Sequence, residues 1–180
     1  MELTRAMERY VVHWGEMGAR WGVNRSVAQI HALLYLSAKP ITAEEIADTL
    51  SIARSNVSTS LKELQGWGLA NLVHVLGDRR DHFETEKDVW KIALTIIEQR
   101  KQREIDPTLT TLAQCVEEAK ADPATARDVT ARMEAVLGFV ETATLWYDQV
   151  KTLQPSVLQK LVRLGAKVAR FVALKRSGNR

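Results

Sequence analysis

The sequence predicts a mainly α-helical chain in which two short helices joined by a tight turn are followed by a two-stranded β-hairpin, with further helices on both sides. Three observations carry this. Thr42-Ala43-Glu44-Glu45 has the form of a helix-opening capping box, and the apolar-periodic segment behind it stops at Leu50-Ser51-Ile52. A second amphipathic segment runs from about Ala53 to Gly66. Gly77-Asp78-Arg79-Arg80 then forms a turn between a Leu- and Val-rich stretch, 69–76, and a returning stretch, 81–85. That order is a winged helix-turn-helix. It places the winged helix-turn-helix domain at 22–87 and leaves 1–21 and 88–180 as flanking helices with apolar faces to cover.

The elements follow in order. Residues 3–21 form a first helix with Leu3, Met7, Tyr10, Val11, Trp14, Met17, Gly18 and Trp21 on one broad side. Asn24 to Lys39 is a second, with Val27, Ile30, Leu33, Leu34 and Leu36 facing the core. In the short third helix the Thr42 hydroxyl accepts from the Glu45 amide, and the Glu45 carboxylate reaches back to the Thr42 amide. Ile46, Ala47 and Leu50 form its buried side.

The next helix is the informative one. Ile52, Val57, Leu61, Leu64 and Trp67 recur at helical spacing and point inward. The opposite face carries Arg54, Ser55, Asn56, Ser58 and Thr59, then Lys62. Short hydroxyl and amide side chains are poor helix formers because they compete for backbone hydrogen bonds. A face that only meets solvent more often carries Glu and Lys. Ser, Thr, Asn and Arg are the side chains that bond base edges and phosphates. Gly66-Trp67-Gly68 ends the helix, with glycine supplying the left-handed or tight backbone needed there. Arg79 and Arg80 sit at the hairpin tip, with little apolar surface nearby, where arginines can enter the minor groove. Asp78 and Asp81 partly offset them.

These residues resemble the MarR family of bacterial transcription regulators. The resemblance is carried by 50–58, by Leu61-Lys62-Glu63-Leu64 and by Trp67-Gly68-Leu69; the wing at 77–83 with Glu86-Lys87-Asp88-Val89-Trp90 resembles the GbsR-type branch. It covers about residues 20–92. Ala53 departs from the pattern, since such sequences usually place a Ser or Thr cap there. A lost N-cap bond costs about 1 kcal/mol, so either Ser51 caps instead or the helix start is loose. The resemblance implies a homodimer that binds double-stranded DNA at an inverted-repeat operator and responds to a small effector.

Composition sets wide bounds. The 180 residues are 46% hydrophobic and 26% charged, ordinary for a globular protein. No run approaches the roughly 20 apolar residues of a membrane span, and Met1-Glu2-Leu3-Thr4-Arg5 has no signal-peptide pattern, so no membrane insertion and a cytoplasmic location are expected. Eight of the 25 basic residues follow Asp148, where there are no acids, which leaves 17 basic against 22 acidic residues elsewhere. The net charge of +3 therefore belongs to the C-terminal end, and a DNA argument rests on the motif rather than on charge.

After the wing, Asp88 to about Glu104 reads as a helix. Asp106-Pro107 starts a new or kinked one to Lys120, Asp122-Pro123 another to about Lys151, and Pro155-Ser156 the last, to near Leu174. Val129, Met133, Val136, Leu137, Val140 and Tyr147 form one apolar stripe, and Val157, Leu161, Leu164, Val168 and Phe171 another. Surplus apolar faces of this kind pack on each other or on a second copy. Lys160, Arg163, Lys167 and Arg170 form a basic stripe. It can pair with Glu117, Glu118, Glu134 or Glu141, touch flanking phosphate, or rest on an anionic membrane.

No nucleophile, paired-carboxylate or phosphate-loop motif stands out, so no catalytic residue, cofactor or enzyme activity is expected. His13, His31, His74 and His82 lack metal-ligand spacing, and His74 with His82 reads as a pair across the wing strands rather than a metal site. Cys115 has no adjacent basic residue and reads as a packed thiol, not an oxidant sensor. Trp14, Trp21, Trp90, Trp146 and Tyr147 read first as packing. Alternatively they enclose a quaternary ammonium effector, since the resemblance implies osmoprotectant-related ligands such as choline. The functional expectation is a dimeric, effector-responsive DNA-binding transcription regulator. The alternative is a winged-helix protein–protein adaptor, which would show apolar anchors on the face that here is polar.

Overall fold

The computed structural model describes residues 1–165. Val168, Phe171, Lys167, Arg170 and the helix end expected near Leu174 lie outside them. The chain divides into two compact units, Met1–Gln99 and Arg100–Arg180.

The first unit is built from α1 (Arg5–Arg20), α2 (Arg25–Leu36), β1 (Ile41–Thr42), α3 (Ala43–Leu50), α4 (Arg54–Gly66), β2 (Asn71–His74), β3 (Asp81–Glu84) and α5 (Val89–Arg100). Side-chain caps open the first three helices: Thr4 for α1, Asn24 for α2 and the full capping box of Thr42 and Glu45 for α3. In that box Glu45 Oε2 accepts from the Thr42 amide at 2.8 Å, and these bonds hold its pKa below the usual carboxylate range. Ser51 ends α3 in the left-handed region, φ 53°, as the Ile52 amide donates to the Ala47 carbonyl at 3.1 Å. A serine there costs about 1–2 kcal/mol against glycine. Gly68, φ +69°, ends α4 with the paired bonds Leu69 N–H to Leu64 O and Gly68 N–H to Gln65 O.

One core holds these elements. Val27, Ile30, Leu33 and Leu34 of α2 meet Ile46 and Ala47 of α3, Val57, Leu61 and Leu64 of α4, and Ile41, Leu69, Phe83 and Ile92. Burial of each large aliphatic chain contributes about 1.5–3 kcal/mol. Ile52 and Trp67 pack partly buried against the same core, as their spacing predicts. The sheet has three strands, ordered β1-β3-β2, all antiparallel. The expected two-stranded wing thus gains Ile41 and Thr42, which pair with Phe83 and His82. His74 lies opposite Asp81 and His82 opposite Val73, so the expected histidine pair does not form. A one-residue offset puts the two rings on opposite faces.

Two contacts tie the wing's exit to α2. The Lys87 ammonium donates to the carbonyls of Leu34 (2.6 Å), Tyr35 (3.0 Å) and Ser37 (2.8 Å), closing the end of that helix. Burial lowers its pKa. Buried His31 shares a 3.3 Å hydrogen bond with Thr85 Oγ1, and burial, helped by nearby Lys87, lowers its pKa to about 4. Helix α1, expected as a flanking helix, packs on α2 through Val11, Gly15 and Gly18.

The second unit has a π-helical turn at Lys101–Ile105, then α6 (Asp106–Ala121), α7 (Arg127–Val150) and α8 (Pro155–Leu164). Asp122-Pro123 does not open α7. Asp122 instead accepts from the Ala124 amide and the Thr125 hydroxyl, closing a turn that delays the helix to Arg127. Val116 and Ala119 of α6 are buried, whereas α7 has no buried residue. Of its expected stripe, Val129, Met133, Leu137, Val140 and Tyr147 are half-buried and Val136 is exposed. Phe139 is 74% and Trp146 64% exposed. In α8, Leu158 is buried, while Val157, Leu161 and Leu164 of the expected stripe are exposed. Glu117 and Glu134 bond to Lys120, at 3.1 and 3.2 Å.

A Cβ on Gly18 would lie 2.5 Å from the Ala28 Cβ, so Gly18→Ala forces α1 and α2 apart. A loss of about 1–3 kcal/mol, read as a lower Tm, is the expected outcome. His31 supplies a pH test. Its folded pKa of about 4 lies below the ordinary histidine value of 6.5, so the unfolded chain binds more protons between these limits. Stability from the neutral ring is full above the upper limit and drains as pH falls towards the lower one, by at most about 3 kcal/mol. Denaturant midpoints for His31→Gln are expected to fall less steeply than wild type across that window.

Candidate nucleic-acid interface

Helix α4 turns its apolar side to the core, and the opposite side is open. Arg54, Ser55, Asn56, Ser58, Thr59 and Lys62 are all exposed, while Val57, Ser60, Leu61 and Leu64 are buried. The predicted polar face is therefore a continuous exposed ridge, with no large apolar side chain among these six. Ala53 makes no side-chain cap bond, and Ser51 does not replace it, because its backbone is committed to ending α3. The first amides of α4 are thus left without a side-chain partner from the cap position.

The ridge is partly pre-ordered. The Asn56 amide donates through Nδ2 to Ser26 Oγ at 2.9 Å, and its Oδ1 accepts from Ser60 Oγ at 3.3 Å. Asn56 is therefore pinned to the start of α2, a role the sequence did not suggest. Thr59 Oγ1 donates to the Ser55 carbonyl at 3.0 Å, which fixes its rotamer. Ser55 and Ser58 stand exposed beside it.

Acids restrain the basic groups. Glu44, at the start of α3, pairs through Oε1 with Arg54 and through Oε2 with Arg80, the latter at 3.7 Å. Asp78 grips Arg80 from the other side: Arg80 Nη2 donates to Oδ2 at 2.5 Å, and Arg80 Nε and its backbone amide donate to Oδ1 at 3.0 Å. Those bonds pull the Asp78 pKa well below the carboxylate range and raise that of Arg80. His82 Nδ1 lies 2.9 Å from the Arg80 carbonyl, which can only accept, so Nδ1 carries the proton. Arg79 is exposed at the tip. The tip is less polar than its sequence implies, since Leu76 is fully exposed and Val75 partly so. The wing strands end at His74 and restart at Asp81, which leaves these side chains beyond the sheet.

Other candidates are scattered. Trp14 stacks on Tyr10, ring centres 5.7 Å apart. Trp21 and Trp146 are exposed and Trp90 is half-buried, while Lys151 lies over the Tyr147 ring at 5.6 Å. Cys115 is exposed rather than packed, because α6 turns Val116 and Ala119 inward and Cys115 outward. Among the described residues no group of three or more His, Cys, Asp or Glu is arranged to hold a metal, and no helix is long and apolar enough to cross a membrane.

Comparison with known proteins agrees with this geometry. A family model described as MarR family matches residues 18–81. The chain is similar to the HTH-type transcriptional repressor GbsR of Bacillus subtilis (strain 168), 25% identical over 144 residues that cover 76% of this chain and 77% of that one. It is also similar to the putative HTH-type transcriptional regulator YvaV of the same organism, at 21% identity over 52% and 53% of the two chains. A crystal structure of a transcriptional regulator shares the fold, with a TM-score of 0.64 at 15% identity over 82% of this chain and 96% of that one. Residues 18–81 of this chain are a winged helix-turn-helix domain of the MarR family.

Proposed function

We propose that the chain is a sequence-specific DNA-binding transcription regulator that acts as a homodimer in the cytoplasm. The observation that carries this reading is the exposed ridge from Arg54 to Lys62, whose side chains suit base edges and phosphates and whose underside is locked in the core. Ser55, Ser58 and Thr59 face the bases or nearby phosphates. Asn56 sets the ridge's register from α2 while presenting its amide edge. Arg54, Lys62 and the uncapped start of α4 hold the backbone. Arg79 and Arg80 approach the minor groove.

The relatives named as regulators support the reading, and the adaptor alternative lacks its apolar anchors. A single helix contacts few base pairs, so two copies on half-sites about 34 Å apart provide the reach. The exposed Phe139 and Trp146 of α7 give a second copy apolar surface to cover. A small effector that favours one spacing of the two readers over another shifts affinity by that difference alone.

Anisotropy titration of the DNA upstream of the chain's own gene, beside a random duplex and across a salt series, tests the reading. Binding is expected to be tighter for the upstream DNA and to weaken steeply with salt. Equal affinity for the two duplexes overturns sequence-specific reading. In the same assay Arg79→Ala with Arg80→Ala lowers affinity about tenfold and flattens the salt slope by about 1–2, with unchanged thermal unfolding. Asn56→Ala is expected to lower affinity for the upstream DNA about tenfold, the value of one good base contact, and to spare the random duplex. An equal loss on both would place Asn56 outside sequence recognition.

A further inference from the structure

Glu44 stands between the two ends of the proposed interface. It is not needed for the capping box, which Thr42 and Glu45 complete between themselves. Its carboxylate instead receives one guanidinium from the first residue of α4 and another from the wing. The three side chains are 48% (Glu44), 66% (Arg54) and 55% (Arg80) exposed. Ion pairs this open add little to stability, because water and salt screen them and ordering the side chains costs entropy. Their geometry is more informative than their energy. A carboxylate paired with two guanidiniums on an exposed surface presents them with the kind of anion that a phosphodiester group is, and Asp78 accepts from other donors of Arg80.

The geometry points to Glu44 as a specificity-determining residue that serves as an internal stand-in for DNA phosphate. The inference rests on the DNA-binding reading. Arg54 reaches the backbone, and Arg80 the phosphates that line the minor groove, only after giving up Glu44, so every DNA, whatever its sequence, meets the same opposing charge. A random duplex offers phosphates alone and is held weakly. A preferred duplex adds base contacts along Ser55–Thr59, which Glu44 does not oppose. The acid thus lowers non-specific affinity more than specific affinity, since non-specific binding is almost wholly electrostatic.

The test compares the full chain with its Glu44→Gln variant. The probes are a random 30-base-pair duplex and a duplex selected from a randomised library by the wild-type protein, titrated over a salt series. Glu118→Gln, an equal charge change on an exposed residue of α6, controls for net charge. Glu44→Gln is expected to bind the random duplex about tenfold tighter, to steepen its salt slope by about 1, and to reduce the preference for the selected duplex. Glu118→Gln leaves all three near wild type. Unchanged thermal unfolding of Glu44→Gln beside wild type excludes a folding artefact. If wild type prefers the selected duplex but Glu44→Gln binds the random one no tighter, or matches Glu118→Gln, the role of Glu44 is overturned and the DNA reading stands. If no selected duplex emerges and neither protein prefers one DNA over another, both fall.

Discussion

The seam between α2 and α4 is the constraint on which the rest of this structure depends. Val27, Ile30, Leu33 and Leu34 on one side, and Val57, Leu61 and Leu64 on the other, leave α4 a single rotation about its axis. Turning it by one residue, about 100°, would bury Ser58 or Arg54 and expose Val57 or Leu61. Each such exchange forfeits apolar burial and strands a polar group, penalties of a few kcal/mol apiece. Because that rotation is fixed, the polar residues stand outward as a ridge without a scaffold of their own. Ser26, reaching Asn56 across the same seam, fixes the ridge along the helix as well as around it.

The wing is held by polar contacts where the ridge is held by apolar ones. Its inner strand, β3, lies between β1 and β2, and Phe83 carries it into the core. Its exit is fastened by Lys87 to three carbonyls at the end of α2, and by Thr85 to His31. The outer loop has no such anchor and is organised by charge: Asp78 folds Arg80 back, and Glu44 joins Arg80 to Arg54. The proposed DNA-facing surface is thus rigid beneath and exchangeable on top. A phosphate can displace a half-exposed carboxylate at small cost, whereas it cannot move α4.

The second unit has the opposite character. Helix α7 is 24 residues long without one buried side chain, and large apolar groups such as Phe139 and Trp146 face outward. Apolar surface left open along so long a helix is the signature of a face that another surface covers.

Much of the reader was legible in the sequence because its signals are local. The capping box spans Thr42 to Glu45, the glycine that ends α4 adjoins it, and the Val57–Leu61–Leu64 spacing lies within three turns. Hydrogen bonds and periodicity at such range depend on only a few neighbouring dihedrals, so residue type alone nearly determines them. Asp78 beside Arg80 was visible for the same reason. The third strand at Ile41, the pinning of Asn56 by a serine 30 positions earlier, the three carbonyls that Lys87 finds at a separation of 50 or more, and the two arginines that share Glu44 were not. The outward Cys115 and the late start of α7 were missed too, since both depend on which helix face wins the packing. Sequence alone therefore determined the helices, turns and two wing strands of the reader and which face of α4 is polar. The tertiary structure decided what that face's charges touch, because partners distant along the chain are chosen by the packing of the core beneath them.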